Sequence, residues 1–183
     1  PIGDLVVTAN WDEEVNVRDA RTGEPTQTLS FGADVSALAI TPDGASVVVA
    51  TQTGKVFLHA LASGELQGEF HHPAWVNAVA ISADGELLAT ASDDGTAVVW
   101  DRRTGTQRLS VTHEDEVWAV AFGGEQTLLT GGKDGWLRAI DIATGSDLHR
   151  FQFNGGLRGI DLDPVTGLLA LDVRGTDDDQ SWT

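Results

Sequence analysis

His72, Ser92 and Asp94 fall within one repeat-length stretch of this chain, and a histidine, a hydroxyl and a carboxylate are the parts of a nucleophilic relay. The adjacent His71 and His72 could begin a metal site, but no second group of ligands follows at suitable spacing, so no metal is assigned. There is no cysteine, which removes thiol nucleophiles, zinc thiolate centres and disulfides. No glycine-rich phosphate loop and no Gly-x-Ser-x-Gly elbow occurs, and no cofactor is implied. One further pattern has a chemical reading. Asp-x-x-Thr-Gly occurs as Asp19-Ala20-Arg21-Thr22-Gly23, Asp101-Arg102-Arg103-Thr104-Gly105 and Asp141-Ile142-Ala143-Thr144-Gly145. Such turns also occur in quinone-dependent dehydrogenases, which keeps an enzymatic reading open as the alternative.

The elements that must position these groups are set by a repeat. Gly23, Gly64, Gly105 and Gly145 each follow Thr or Ser at spacings of 41, 41 and 40. Gly54, Gly95, Gly135 and Gly175 form a second series, and Val35, Val76, Val117 and Leu157 an apolar third. Three registers at one period mean an array or a propeller. Within a unit, 76–81, 87–91, 96–100 and 106–111 read as four short strands, broken at Ser82-Ala83-Asp84-Gly85, Asp93-Asp94-Gly95 and Thr104-Gly105. The first two strands are almost wholly apolar and are expected to be buried on both faces. The fourth, with Gln107 and Arg108, suits an outer edge. No segment keeps a helical apolar period. The fold class is therefore all-β, a β-propeller of four-stranded antiparallel blades.

The run Ala91-Ser92-Asp93-Asp94-Gly95-Thr96-Ala97-Val98-Val99-Trp100-Asp101, with its Asp-Gly turn and Trp-Asp pair, resembles the WD-repeat (WD40) propeller family. Thr41-Pro42-Asp43-Gly44 and Ser82-Ala83-Asp84-Gly85 are similar to its first hairpin. The resemblance implies a buried structural tetrad of His72, Ser92, Asp94 and Trp100, which turns the apparent catalytic set into architecture. The next unit keeps His113 and Asp134 but has Gly132 and Ile140; the one before has Phe31, Thr53 and His59; the first has Arg18 for Trp, with Asp12 as its candidate Asp.

The whole chain, 1–183, reads as one propeller segment: a partial blade 1–34, blades 35–75, 76–116 and 117–156, and a partial blade 157–183. A four-blade ring closed by 157–162 against the N-terminal blade is the alternative. An incomplete arc of a larger propeller is favoured, because the ring would leave an overhanging apolar edge and the family resembled closes with more blades. Pro1, the absence of Met and the lack of an apolar leader are read as a cut or processed start. Three aspartates in Thr176-Asp177-Asp178-Asp179-Gln180-Ser181-Trp182-Thr183 spoil a third-strand pattern.

By resemblance, three positions per blade face one mouth of the channel: those either side of the first-strand Val, and the residue before the turn Asp. They are Asp34, Ser36 and Gln52; Trp75, Asn77 and Asp93; Glu116, Trp118 and Lys133; with Arg158 from the last partial blade and Trp11 from the first. Tryptophan and arginine dominate many binding surfaces, so this set is the candidate partner site. Its carboxylates favour a protein or peptide partner with basic character. The formal charge of −17 argues against nucleic acid, and no apolar run is long enough to span a membrane. These features lead to the expectation of a cytoplasmic, non-catalytic interaction scaffold, with further blades or an attached domain in the full-length chain.

Overall fold

A computed structural model describes residues 5–9, 13–163 and 166–175. Seventeen strands in it form five antiparallel meanders. The first sheet has three strands: β1 (Leu5–Ala9), β2 (Glu14–Asp19) and β3 (Pro25–Ser30). The second runs β4 (Val35–Ile40), β5 (Ser46–Thr51), β6 (Lys55–Ala60) and β7 (Leu66–His71). The third holds β8 (Val76–Ile81), β9 (Leu87–Ser92), β10 (Thr96–Asp101) and β11 (Gln107–Thr112). The fourth holds β12 (Val117–Phe122), β13 (Thr127–Gly132), β14 (Trp136–Asp141) and β15 (Asp147–Gln152). A fifth, two-stranded sheet pairs β16 (Gly155–Leu162) with β17 (Leu169–Gly175).

The sheets pack face to face in chain order, with β4, β8, β12 and β16 side by side on the inside. They make an open arc of propeller blades. The strand β16 pairs with β17 and not with β1, so the four-blade ring does not form. Each of the first three interfaces has its own apolar core. Val15, Val17 and Leu29 of the first sheet meet Val47 and Val49 of the second. Val56, Leu58 and Phe70 meet Val76 and Leu88 of the third. Ala97, Val99 and Val111 meet Val117, Leu128 and Ile140 of the fourth.

The second strands are the true centre: β5 is buried at every position, and β9 and β13 at all but the first. The expectation that first strands are equally buried needs correction, since most residues of β4 and β8 are half-buried. The reason is geometric. A first strand lines the channel, so one of its edges has no neighbour in its own sheet.

The turns account for five of the 28 acidic residues. In the Asp-x-x-Thr-Gly turns, Asp101 Oδ1 accepts from the Thr104 amide at 2.9 Å and its hydroxyl at 2.8 Å, and Asp141 does the same with Thr144 at 2.7 Å each. Asp19 accepts from the amides of Arg21 and Thr22. In the first hairpins the Thr41 and Ser82 hydroxyls donate to Asp43 and Asp84. These bonds hold the carboxyls of Asp19, Asp43, Asp84 and Asp141 below the ordinary carboxylate range, and Asp101 is held there first by the Arg108 guanidinium and then by Thr104.

Candidate functional site at the channel mouth

The first-strand/second-strand ladders each slip by one residue near the start of the inner strand, between Val35 and Ala37, Val76 and Ala78, Val117 and Ala119, and Leu157 and Gly159. The residues left over are Ser36, Asn77, Trp118 and Arg158. A β-bulge re-aims the side chain of its extra residue, and here it turns four of them toward one mouth.

Ser36 and Asn77 are first of all joints between blades. The Ser36 hydroxyl donates to the Val76 carbonyl at 2.5 Å, and Asn77 Nδ2 donates to the Val117 carbonyl at 2.9 Å. Each therefore ties its own inner strand to the next. Trp118 occupies the same place and breaks the series. Its indole N–H donates to Glu116 Oε2 at 3.0 Å, and the ring lies against Gly156, where any Cβ would strike it. The Arg158 guanidinium sits over the Trp118 ring, 5.2 Å from its centroid, a cation–π contact.

The other sequence-selected positions are cross-linked through the backbone. The amides of Gln52, Asp93 and Lys133 donate to the carbonyls of Asp34, Trp75 and Glu116. Asn77 Nδ2 also donates to Asp93 Oδ1 at 2.6 Å. Lys133 Nζ donates to Glu116 Oε1 at 3.1 Å and pairs with Asp115 at 3.4 Å. The Glu116 and Asp115 carboxylates raise the Lys133 ammonium above its ordinary pKa.

These residues gather around two adjoining depressions. Trp75, Asn77, Asp93, Glu116, Trp118 and Arg158 line one of about 380 Å³. Val35, Ser36, Gln52, Trp75 and Asn77 line a second of about 250 Å³. Trp75, 37% exposed, belongs to both. Asp34 and Lys133 stand beside the depressions and line neither. Trp11 lies outside the described residues, as does Asp12.

The buried polar set differs from the tetrad read in the sequence. His72 Nδ1 bonds the Asp94 carboxylate at 2.8 Å, but its Nε2 meets the Thr90 hydroxyl at 2.7 Å, and Trp100 Nε1 donates to that same oxygen at 3.0 Å. Thr90, not Ser92, is the fourth member. Ser92 instead donates to the Ala74 carbonyl at 3.4 Å and accepts from the Asp94 amide. The sheet register decides between them: Val98 pairs with Thr90, so Trp100, two residues on, is the diagonal neighbour of Thr90. Burial alone would raise the Asp94 carboxyl, but hydrogen bonds from Thr96 and His72 hold it below its ordinary range.

The next unit is also more complete than Gly132 suggested. His113 bonds Asp134 and Thr130 at 2.8 Å each, and only the indole is replaced, by buried Ile140. In the unit before, Phe31 stands edge-on to His59 with centroids 5.4 Å apart, an aromatic substitute for the polar set. The Thr90 hydroxyl that faces His72 is fully buried, so the arrangement holds the fold and offers no nucleophile to a substrate.

Comparison with known proteins follows the same lines. A family model described as WD domain, G-beta repeat matches residues 64–101 and 105–141. Those two stretches match the WD repeat. A comparison with curated proteins returns no match. Among solved structures, the computationally designed Ika8 protein superposes with a TM-score of 0.79 at 24% identity, over 87% of this chain and 50% of its own. That likeness speaks for the fold, and the chain spans half the length of that protein.

The matched WD repeats straddle the sheets. Residues 64–101 take in the outer strand β7 of one sheet and β8 to β10 of the next. His72, just after β7, thus fastens one blade to Thr90 and Asp94 of its neighbour. No helix of the described residues is long and apolar enough to cross a membrane, and no three His, Asp or Glu side chains among them form a metal-binding group.

Proposed function

We propose that this WD-repeat arc is a non-catalytic scaffold that takes a peptide segment of a protein partner at the mouth built by Trp75, Asn77, Asp93, Glu116, Trp118 and Arg158. WD-repeat domains generally mediate protein interaction, and the observation that carries the site is the convergence of these six side chains on one depression. Two indoles give the partner rigid apolar surface, and the polar neighbours fix its orientation. A flexible scaffold would lose more ordering entropy on binding than this one, because Ser36 and Asn77 are already held by bonds between blades and Trp118 by its bond to Glu116.

The partner segment carries Lys or Arg beside an apolar anchor. The charge of −17 attracts it at long range, and Asp93 receives it at short range. Glu116 is shared with Lys133, and Arg158 already covers Trp118, so an incoming guanidinium competes with Arg158 for that ring.

A displayed random-peptide library selected on the chain, with the Trp75→Ala/Trp118→Ala variant as counter-screen, tests the reading. Selected peptides should be rich in Lys and Arg and lose at least about 2 kcal/mol of binding to the folded double variant. Equal affinity for both proteins places the interaction elsewhere.

A further inference from the structure

We infer that the second and third sheets hold a second binding cleft, at the strand ends opposite the mouth, which takes a large apolar side chain next to a carboxylate on a peptide segment of a protein partner. Two departures from the repeat meet there, at an interface in the middle of the arc. The first is in the outer strands. Gln27, Gly68 and Leu109 hold one position in β3, β7 and β11, paired with Val17, Leu58 and Val99. In the flanking interfaces that side chain reaches the turn of the following sheet: a Cβ on Gly64 would strike Gln27, and one on Gly145 would lie 3.1 Å from Leu109 Cδ1. Gly68 has no side chain to send, and a Cβ on Gly105, the matching turn residue, would meet nothing within 4 Å.

The second departure is in the turns themselves. The amides of Leu61, Arg102 and Ile142 donate to the carbonyls of Ala45, Glu86 and Gln126, so the three residues hold equivalent places. Leu61 and Ile142 pack into the apolar cores of their interfaces. Arg102 does not, and its Nε donates instead to the Gly85 carbonyl.

Together the two exchanges leave a cavity of about 460 Å³ where the flanking interfaces have side chains. Leu58, almost fully buried, and Leu66, 49% exposed, give it an apolar wall. Arg102 and Arg103 give it two guanidiniums. Among the described residues no carboxylate forms an ion pair with either, and the Arg103 side chain makes no hydrogen bond, in a chain of net charge −17. A carboxylate from outside completes them with the forked geometry that a guanidinium favours. Glu65 and Glu86 also line the cavity, so its two positive and two negative charges balance. That balance suits a single carboxylate and disfavours a phosphate dianion or a polyanion. The occupant is thus a side chain the size of leucine or phenylalanine beside an aspartate or glutamate, opposite in charge to the segment proposed for the mouth.

The test is a displayed random-peptide library selected on the whole chain and then sorted on two variants. Gly68→Leu/Arg102→Leu refills the cleft as the flanking interfaces are filled. A side chain fits at Gly68, where a Cβ has only ordinary contacts at 3.7 Å or more, and the refilled protein should unfold at or above the temperature of wild type. Peptides that pair Leu, Ile or Phe with Asp or Glu should emerge and lose at least about tenfold in affinity for the refilled variant. They should bind Trp75→Ala/Trp118→Ala as they bind wild type, since neither indole lines this cleft. Arg103→Gln, at an exposed position that leaves the core intact, should also weaken them at least about tenfold. Failure of such peptides to emerge, or equal binding to wild type, the refilled variant and Arg103→Gln, overturns the inference. Displacement of the peptides by inorganic phosphate at equal concentration would mean a site for bare anions, which overturns it as well.

Discussion

Thr90 is the residue on which the buried network turns, because its single oxygen serves both His72 and Trp100. Thr90→Val keeps the shape and leaves two buried groups without partners, each costing about 1–3 kcal/mol. Urea unfolding should register a loss of about 2–4 kcal/mol, while Ser92→Ala, which gives up only a 3.4 Å bond and a turn contact, stays within about 1 kcal/mol. Equal losses would return Ser92 to the network. The sequence showed the histidine, aspartate and tryptophan by their family spacing, but two hydroxyls on one strand face are indistinguishable until the register is known. Thr130 was missed beside Gly132 for the same reason. His113 adds a pH prediction. Burial lowers its pKa below 6.5 despite the opposing pull of Asp134. The unfolded chain then takes up a proton that the folded chain refuses. This contribution to stability is complete above about pH 6.5 and declines as the pH falls below it. Comparing urea midpoints of wild type and His113→Asn between about pH 5 and 8 should show a shallower slope in the variant; parallel curves would exclude His113. The turn aspartates act lower, since their depressed values hold stability above about pH 3.8 and release it beneath.

Elements in this chain are delimited by glycines that differ in what surrounds them. Gly54 has φ +84°, and a Cβ there would strike the His72 carbonyl and lie 2.7 Å from that of Ala74. Gly105 has φ +72° with open space around it. Gly105→Ala should therefore cost about 1–2 kcal/mol, the left-handed penalty alone. Gly54→Ala adds a backbone clash and should cost at least about 3 kcal/mol, because the turn and the chain after β7 must separate. Thermal unfolding of the two variants checks the order, and a Gly105 variant as damaged as the Gly54 variant would contradict it. The strands themselves were readable because apolar runs and turn residues alternate at short range. The apolar run 76–81 coincides with β8, and β10 ends at Asp101, one residue beyond the run 96–100. The bulges were not readable. They depend on how two strands pair, and they are what turns Ser36, Asn77, Trp118 and Arg158 to the mouth.

At the scale of the molecule, an arc of sheets that each touch only their neighbours distributes its stability unevenly. The second, third and fourth sheets have a partner on both faces, and their central strands β5, β9 and β13 are almost wholly buried. Among the described residues the first sheet has packing on one side only, against Val47 and Val49. Its other face is polar: Thr28 donates to the Asn16 side chain at 2.8 Å, and Arg18 donates to the Gly23 carbonyl. β1 leaves Leu5 and Val6 exposed at 40 and 44%. Opening the first sheet therefore forfeits one apolar interface, whereas opening the third forfeits two and breaks the His72 and His113 fastenings as well. Free energies of opening should rise from either end toward the third sheet. Hydrogen exchange read by mass spectrometry under native conditions should find β9 slowest, β1 to β3 and β17 fastest, and β5 and β13 between. A single exchange rate across all five sheets would mean that the arc opens as one unit, and that the interfaces couple more strongly than contact between neighbours can explain.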